Sequence, residues 1–145
     1  MKMGEIKGRT FDLLTLGQLL LRLSPPDNDR LSRGDTFVKQ VGGAELNVAV
    51  GASLLGLHTG VISKLPSHDI GSFMKGKIRS FGVSDDFFMY DQSSSARVGI
   101  YYYENGAYPR KPKVIYDRNN SSFFSLNIDE IPEEVYTASN CFHTT

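Results

Sequence analysis

Short apolar runs alternate with helical patterns in the first half of this chain. Residues 11–17 form an apolar run that ends at a glycine, which is typical of a strand buried on both faces of a parallel sheet. Apolar residues then recur at helical spacing over residues 45–55, and a β-rich run follows at 58–63. Residues 70–81 predict a second helix, with Gly82 as its stop signal. This order predicts βαβ units and a parallel sheet.

The first helix is predicted to bury one face. Gly56 follows it as a stop signal. The residues expected to form the buried face are Leu46, Ala49, Val50, Ser53, Leu54 and Leu57.

Extended segments outside this pattern predict a second, smaller sheet beside the α/β core. They are rich in β-branched and aromatic residues and are separated by turn residues. The last two are joined through an Asn-Gly pair in a loop longer than two residues, which suggests a hairpin. The segments are residues 19–23, 36–41, 87–90, 96–104 and 113–118.

The two ends of the chain have different patterns. Residues 1–10 are polar and are expected to be a frayed leader. Residues 127–134 are acidic and begin with a capping pattern, which predicts the start of a helix. Residues 140–145 predict another core strand. Because no helix follows to cover that strand, we expect the fold to continue past Thr145.

Composition limits the class of function. The chain has 145 residues, 40% of them hydrophobic, and a formal net charge of zero, as expected of one globular unit. A neutral chain does not favour nucleic acid or an anionic membrane as a partner, so a small molecule fits better. The single cysteine, Cys141, cannot form an internal disulfide, and no signal-peptide pattern is present. We therefore expect a cytoplasmic protein.

Gly42 and Gly43 come directly before the first predicted helix. Adjacent glycines let the backbone approach a ligand closely, and the helix start presents free N–H groups to the same place. Asn47 lies in the first turn, and its amide can both donate to and accept from a sugar hydroxyl. For the glycine pair by itself, a tight connection from strand to helix is the simpler interpretation.

Residues 42–49, which read Gly-Gly-Ala-Glu-Leu-Asn-Val-Ala, and the later Gly56 resemble the first signature of the ribokinase-like (PfkB) carbohydrate kinases. The sequence of this motif is most similar to that of the 2-keto-3-deoxygluconate kinase branch, and the resemblance extends from residue 11 to residue 144. It implies a ribokinase-like α/β fold, with a parallel-sheet core that is incomplete here and a small β-sheet lid over the sugar. The implied core segments are 11–18, 42–94 and 123–145, and the implied lid segments are 19–41 and 95–122.

The resemblance also implies substrate contacts from the lid. Residues 97–101 resemble a lid strand whose tyrosine touches the substrate, which assigns that role to Tyr101. Residues 114–121 resemble a second lid motif, in which Tyr116 and Arg118 reach an acidic sugar. Strand periodicity places these two side chains on one face, and a guanidinium can bind a carboxylate through two hydrogen bonds. The alternative is a tyrosine and an arginine on the solvated face of an edge strand.

The function implied is phosphorylation of a hydroxyl of a sugar or keto-sugar acid, with ATP and Mg²⁺ expected for the full-length enzyme and a homodimer formed through the lid. The alternating Val98, Ile100 and Tyr102 are the expected dimer contacts. The family's Gly-Ala-Gly-Asp catalytic motif does not occur in this sequence, so we assign no catalytic residue and expect the chain alone to bind no nucleotide strongly and to be inactive. Gln18 stands where the family often has an acidic residue, which puts one sugar contact in question.

Other interpretations remain. A non-catalytic sugar-binding or lid-mediated dimerisation module would use the same residues. A dinucleotide-dependent oxidoreductase would need G-x-G-x-x-G after the first strand, and residues 17–20 do not provide it. Residues 71–78 nearly spell a P-loop but lie in a predicted helix, and the three histidines lack metal-ligand spacing.

Overall fold

The computed structural model describes residues 10–145, so nearly all of the predicted leader lies outside the described residues. The helices are α1 (Ala44–Leu54) and α2 (Asp69–Arg79). In chain order the strands are β1 (Phe11–Leu16), β2 (Leu20–Ser24), β3 (Val38–Gly42), β4 (Thr59–Pro66), β5 (Val83–Ser84), β6 (Phe88–Asp91), β7 (Gly99–Glu104), β8 (Lys113–Asp117) and β9 (Ser139–His143). No helix among these residues is long and apolar enough to cross a membrane.

The parallel sheet predicted from the strand and helix order is confirmed. β1 lies between β4 and β9 and is parallel to both, while β5 and β6 pair in parallel with β4. Thr59 and the residues up to Ser63 on β4 are buried, as a strand covered on both faces requires. The α/β part of the ribokinase-like fold is therefore present.

The second sheet has the order β3-β2-β7-β8 and mixed strand directions. β2 pairs antiparallel with β3, as predicted, and β7 pairs antiparallel with β8 across the Asn-Gly loop. The assignment of residues 87–90 to this sheet is wrong, because they form β6 in the parallel sheet. Phe88 is buried in the core, and this burial keeps the run beside β4.

Apolar residues form two buried clusters. The larger cluster joins both helices to the parallel sheet and to the base of the second sheet; its members are Leu19, Leu21, Leu46, Ala49, Val61, Leu65, Met74, Ile78, Val83, Phe88 and Val98. The smaller cluster contains Phe11, Leu14, Ile62 and Val135. Because Val61 and its neighbour Ile62 belong to different clusters, β4 contributes to the core on both faces.

Three details of the prediction are corrected. Leu46 and Ala49 are buried in α1 as expected, but Leu54 and Leu57 are 76% and 47% exposed. Leu54 ends α1, and the backbone reverses at Gly56, which has a φ of 91°. No described part of the chain covers the two leucines there.

The helix predicted at 127–134 is the second correction. The capping box between Asn127 and Glu130 is present, but it starts only a short 3-10 turn, Ile128–Glu130. Pro132 explains why the helix ends early. The proline ring disfavours helical backbone at the residue before it, and Ile131 is extended. A second 3-10 turn, Glu133–Tyr136, follows.

Two of the three predicted dimer contacts face the core. Val98 is 7% exposed and belongs to the larger cluster, and Ile100 packs against that cluster. These two residues therefore face the chain's own core, since the base of the second sheet rests on it. Tyr102 lies farther along β7, beside Phe37, with ring centroids 6.0 Å apart.

The start of α2 depends on a close backbone contact. A Cβ built on Gly71 would overlap the carbonyl oxygen of Pro66, whereas a Cβ on Gly76 in the same helix would meet nothing within 4 Å. The two glycines are thus a matched pair with opposite tolerance for a methyl group.

We expect Gly71→Ala to lower the free energy of unfolding by at least ~2 kcal/mol, because Pro66 belongs to a buried strand and cannot yield freely. Gly76→Ala should be neutral or should stabilise by ~0.5–1 kcal/mol, because alanine is the better helix former. Urea denaturation of both variants measures the difference. Equal effects would contradict the close contact.

Candidate functional site

A cavity of about 300 Å³ lies where the carboxyl ends of β1 and β9 meet the start of α1. It is lined from the parallel sheet, from α1 and from the segment that follows β8. The lining residues are Leu16, Gly17, Gln18, Leu20, Gly43, Ala44, Glu45, Arg118, Phe123, Phe124, Thr144 and Thr145. Ligands of open α/β sheets bind at the carboxyl ends of the strands, so the position itself is that of a binding site.

Gly43 brings the start of α1 to the cavity. Its φ of 146° is rarely adopted by residues with a side chain, and a Cβ there would lie 2.8 Å from the carbonyl oxygen of Gln18. The backbone of the first turn of α1 therefore passes close to the end of β1. Helix-start N–H groups can donate hydrogen bonds to a ligand oxygen at this point.

Glu45 is a buried carboxylate beside the cavity and is 8% exposed. Its Oε1 accepts hydrogen bonds from Thr145 Oγ1 at 2.5 Å and from Thr145 N at 3.3 Å. A Cβ on Gly17 would overlap the Glu45 side chain, so the glycine that ends β1 makes room for this carboxylate. The first turn of a helix is also a favourable place for a negative charge.

The second sheet presents a row of aromatic and cationic side chains. Arg22 on β2, Tyr101 on β7 and Tyr116 on β8 are successive cross-strand neighbours. The rings of Tyr101 and Tyr116 lie 6.0 Å apart, and the Arg118 guanidinium lies 6.0 Å from the centre of the Tyr116 ring. Because Arg118 also lines the cavity, the row ends at the cavity.

Tyr101 connects this row to the glycine turn. A Cβ on Gly42 would come 2.5 Å from the Tyr101 hydroxyl, so only glycine fits beside it without displacement. Burial raises the pKa of Tyr101, and the nearby Arg22 opposes the shift. The phenol therefore stays protonated at neutral pH and can donate a hydrogen bond.

The two connections between β7–β8 and the parallel sheet are bonded to each other. Ser122 N donates to Arg97 O at 2.8 Å, and Arg97 N donates to Ser122 Oγ at 3.1 Å. Ser122 Oγ in turn donates to Asp91 Oδ2 at 2.8 Å, at the end of β6. Hydrogen bonds from Ser93 and then Ser122 lower the pKa of Asp91. This contact therefore contributes stability above the ordinary pKa of an aspartate, and the contribution is lost as pH falls through the lowered value.

The predicted site residues fall into three groups. Gly43 and Arg118 line the cavity. Gly42, Tyr101 and Tyr116 adjoin it through the contacts described above. Asn47 lies apart, exposed in the first turn of α1, where its backbone N–H donates to Gly43 O at 2.9 Å.

Residue-by-residue reasoning missed several lining groups, notably Glu45, Phe123 and the two final threonines. Thr144 has a positional signal. Gln18 follows β1 and Thr144 follows β9, so the carboxyl-end rule for parallel strands could have brought both forward. Phe123 and Phe124 carry no comparable signal, because their place depends on how the chain returns from β8.

Two features that the sequence raised, metal-ligand clusters and the near-P-loop, can be compared with the structure. Residues 10–145 contain no group of three or more His, Cys, Asp or Glu side chains that could hold a metal ion. The near-P-loop at residues 71–78 lies within α2, so its backbone amides are used by the helix.

The chain belongs to the pfkB family of carbohydrate kinases, whose model matches residues 10–141. It is 35% identical over 136 residues to a 2-dehydro-3-deoxygalactonokinase of Haloferax volcanii, which covers 94% of this chain and 42% of that protein. The structure of a 2-dehydro-3-deoxygluconokinase from Thermotoga maritima matches with a TM-score of 0.86 and 36% identity, over 92% of this chain and 40% of that chain.

A third match concerns the fold alone. An uncharacterized sugar kinase from Pyrococcus horikoshii in complex with ATP has a TM-score of 0.78 and 22% identity, over 90% of this chain and 41% of that chain. This chain thus spans about two fifths of the length of the relatives it matches. The ribokinase-like family assignment and its fold are confirmed.

Proposed function

We propose that the complete protein is a sugar kinase that transfers phosphate from ATP to a hydroxyl of a keto-deoxy sugar acid, and that this chain holds the acceptor. The observation that carries the proposal is the position of Arg118, at the mouth of a cavity that the start of α1 also lines. Sugar hydroxyls need donors and acceptors, and a sugar acid also needs a cation.

The charges around the cavity favour an acidic acceptor. Glu45 and Arg118 are its only charged lining residues in the described chain. Glu45 is already bonded to Thr145, whereas Arg118 forms no ion pair with another described residue. The guanidinium is therefore available to a carboxylate, which it can bind through two parallel hydrogen bonds.

The aromatic row supplies the remaining contacts in this proposal. The Tyr116 ring lies 6.0 Å from the Arg118 guanidinium, and Tyr101 places a hydroxyl next to the glycine turn. Backbone N–H groups at the start of α1 would hold a hydroxyl on the opposite side. Asn47 is the least supported of the six proposed binding residues, because it does not line the cavity and is exposed in the first turn of α1.

The phosphate donor side lies elsewhere in this proposal. Phosphoryl transfer needs a base, charge stabilisation at the γ-phosphate and a metal ion. We assign these groups to the part of the relatives' length that this chain does not span, and we derive no catalytic step from residues 10–145. A location in the cytoplasm stays a prediction.

Replacing Arg118 tests the acceptor assignment. We expect Arg118→Ala to weaken binding of 2-keto-3-deoxygluconate by tenfold or more, because a charge-assisted hydrogen bond contributes about 1.5–3 kcal/mol. Arg118→Lys should recover only part of the loss, since an ammonium lacks the two-pronged geometry. Calorimetric titration gives both dissociation constants.

The matched control is Arg33→Ala, which removes the same charge from an exposed residue in the loop after β2. It should leave the affinity unchanged, and binding of a neutral keto-sugar such as fructose should be insensitive to Arg118→Ala. If Arg118→Ala and Arg33→Ala behave alike, Arg118 is not the carboxylate contact.

We also propose that two copies pair through the outer part of the second sheet. Phe37 and Ile115 are 46% and 44% exposed near Tyr102, which leaves an apolar surface beyond the part buried in the core.

Ile115→Asp should shift the protein from dimer to monomer in sedimentation velocity, because it buries a charge at the interface. Leu54→Asp, at an equally apolar position on α1, should stay dimeric. A monomeric wild-type protein would refute the proposal.

A further inference from the structure

We propose that Gln18 is a positioning residue, which holds Arg118 at the cavity by donating a hydrogen bond to the Arg118 backbone carbonyl. The inference rests on the proposed acceptor function, because its consequence is the placement of the guanidinium. Gln18 follows the last residues of β1, just before the chain leaves the parallel sheet for the second sheet at β2. It thus lies at the junction between the two sheets.

Both bonds of the Gln18 amide reach the segment that returns from β8. Nε2 donates to Arg118 O at 3.1 Å and to Ser121 Oγ at 2.7 Å, across 100 and 103 residues of sequence. Ser121 is 4% exposed and its bond with Gln18 is partly buried, whereas the bond to Arg118 O is exposed. The Ser121 bond therefore competes less with water and anchors the amide beside Arg118 O.

The neighbouring strand leaves room for this amide. A Cβ on Gly99, the first residue of β7, would come 2.8 Å from Gln18 Nε2 and 3.2 Å from Arg118 Cα. The absence of a side chain at Gly99 therefore lets the amide and the Arg118 backbone lie side by side. Three separate parts of the chain, β1, β7 and the end of β8, meet at this one contact.

The chemistry requires a donor at position 18. A backbone carbonyl can only accept, so the group facing Arg118 O must carry hydrogen. A carboxylate accepts only, and an acidic residue at this position would place two acceptors against each other. Glutamine therefore gives this chain a bond between the two sheets that an ionised acidic residue could not form.

This bond complements the one at Ser122. Ser122 connects Arg97, just before β7, to Asp91 at the end of β6. Gln18 connects the segment after β1 to Arg118, just after β8. Only the Gln18 bond acts on the residue that carries the guanidinium. Losing it should let the Arg118 backbone move away from the cavity while the base of the sheet stays attached.

The test uses Gln18→Met, which keeps the length of the side chain and removes both donated bonds. The matched control is Gln92→Met, because Gln92 is exposed and its side chain makes no hydrogen bond within residues 10–145. Gln18→Glu is a second variant that keeps the shape and replaces the donor by an acceptor. All proteins are compared at equal folded fraction, set by their thermal unfolding curves.

Two measurements are made on each protein. Hydrogen exchange of the Phe124 amide, which donates to Ser121 O, reports on the return from β8 without any ligand. We expect this exchange to be about fivefold faster in both Gln18 variants and unchanged in Gln92→Met. Calorimetric titration should show about tenfold weaker binding of 2-keto-3-deoxygluconate to the Gln18 variants and less than about threefold change for fructose. A merely structural role would weaken both acceptors equally.

The outcomes separate this inference from the proposed function. If the wild-type protein binds neither acceptor, the acceptor function fails, and hydrogen exchange still decides whether Gln18 holds the returning segment. If the wild-type protein binds the sugar acid and Gln18→Met binds it equally well, the positioning role is overturned. Unchanged hydrogen exchange in Gln18→Met would overturn it as well.

Discussion

The parallel pairing of β1 with β4 and β9 is the constraint on which the rest of the structure depends. It fixes the direction of β1, so that Gly17 and Gln18 emerge at the same edge as Thr144 and Thr145. The start of α1 reaches the same edge through Gly43. A concave site arises there because strand ends, a helix start and a glycine turn converge without a side chain to fill the space.

The second sheet adds charge and coverage to that site. Its base is part of the hydrophobic core through Leu21 and Val98, so the sheet has a fixed attachment. Farther out, Tyr101, Tyr116 and Arg118 form a continuous surface toward the cavity. The parallel sheet therefore supplies backbone groups to the site, and the second sheet supplies side chains.

Much of the fold could be predicted from the sequence, because periodicity and turn residues act locally. The strand at 11–17 and the helices at 45–55 and 70–81 were placed nearly correctly for this reason. The pattern-based assignment of residues 87–90 to the second sheet is wrong, because a short β-rich segment does not reveal its partner strand. Only the burial of Phe88 beside β4 decides that pairing.

The site was less predictable than the fold. The family resemblance predicts that Gly43 and Arg118 bind substrate, and both line the cavity. It predicts the same for Asn47, which does not line the cavity. The family resemblance marks Gln18 only as a departure from the usual acidic residue. Its role depends on a contact with Ser121 and Arg118, about one hundred residues away, and no local pattern carries that information.

In the proposed function, an acidic sugar binds where β1, α1 and the end of β8 meet. The most direct test of this binding is a titration of the ¹⁵N-labelled protein with 2-keto-3-deoxygluconate, followed by two-dimensional NMR. The account predicts the largest shift changes at the amides of Gly43, Glu45 and Arg118 and at the side-chain amide of Gln18. Changes confined to the separate cavity beside Val135 and Phe142, or none at millimolar ligand, would contradict it.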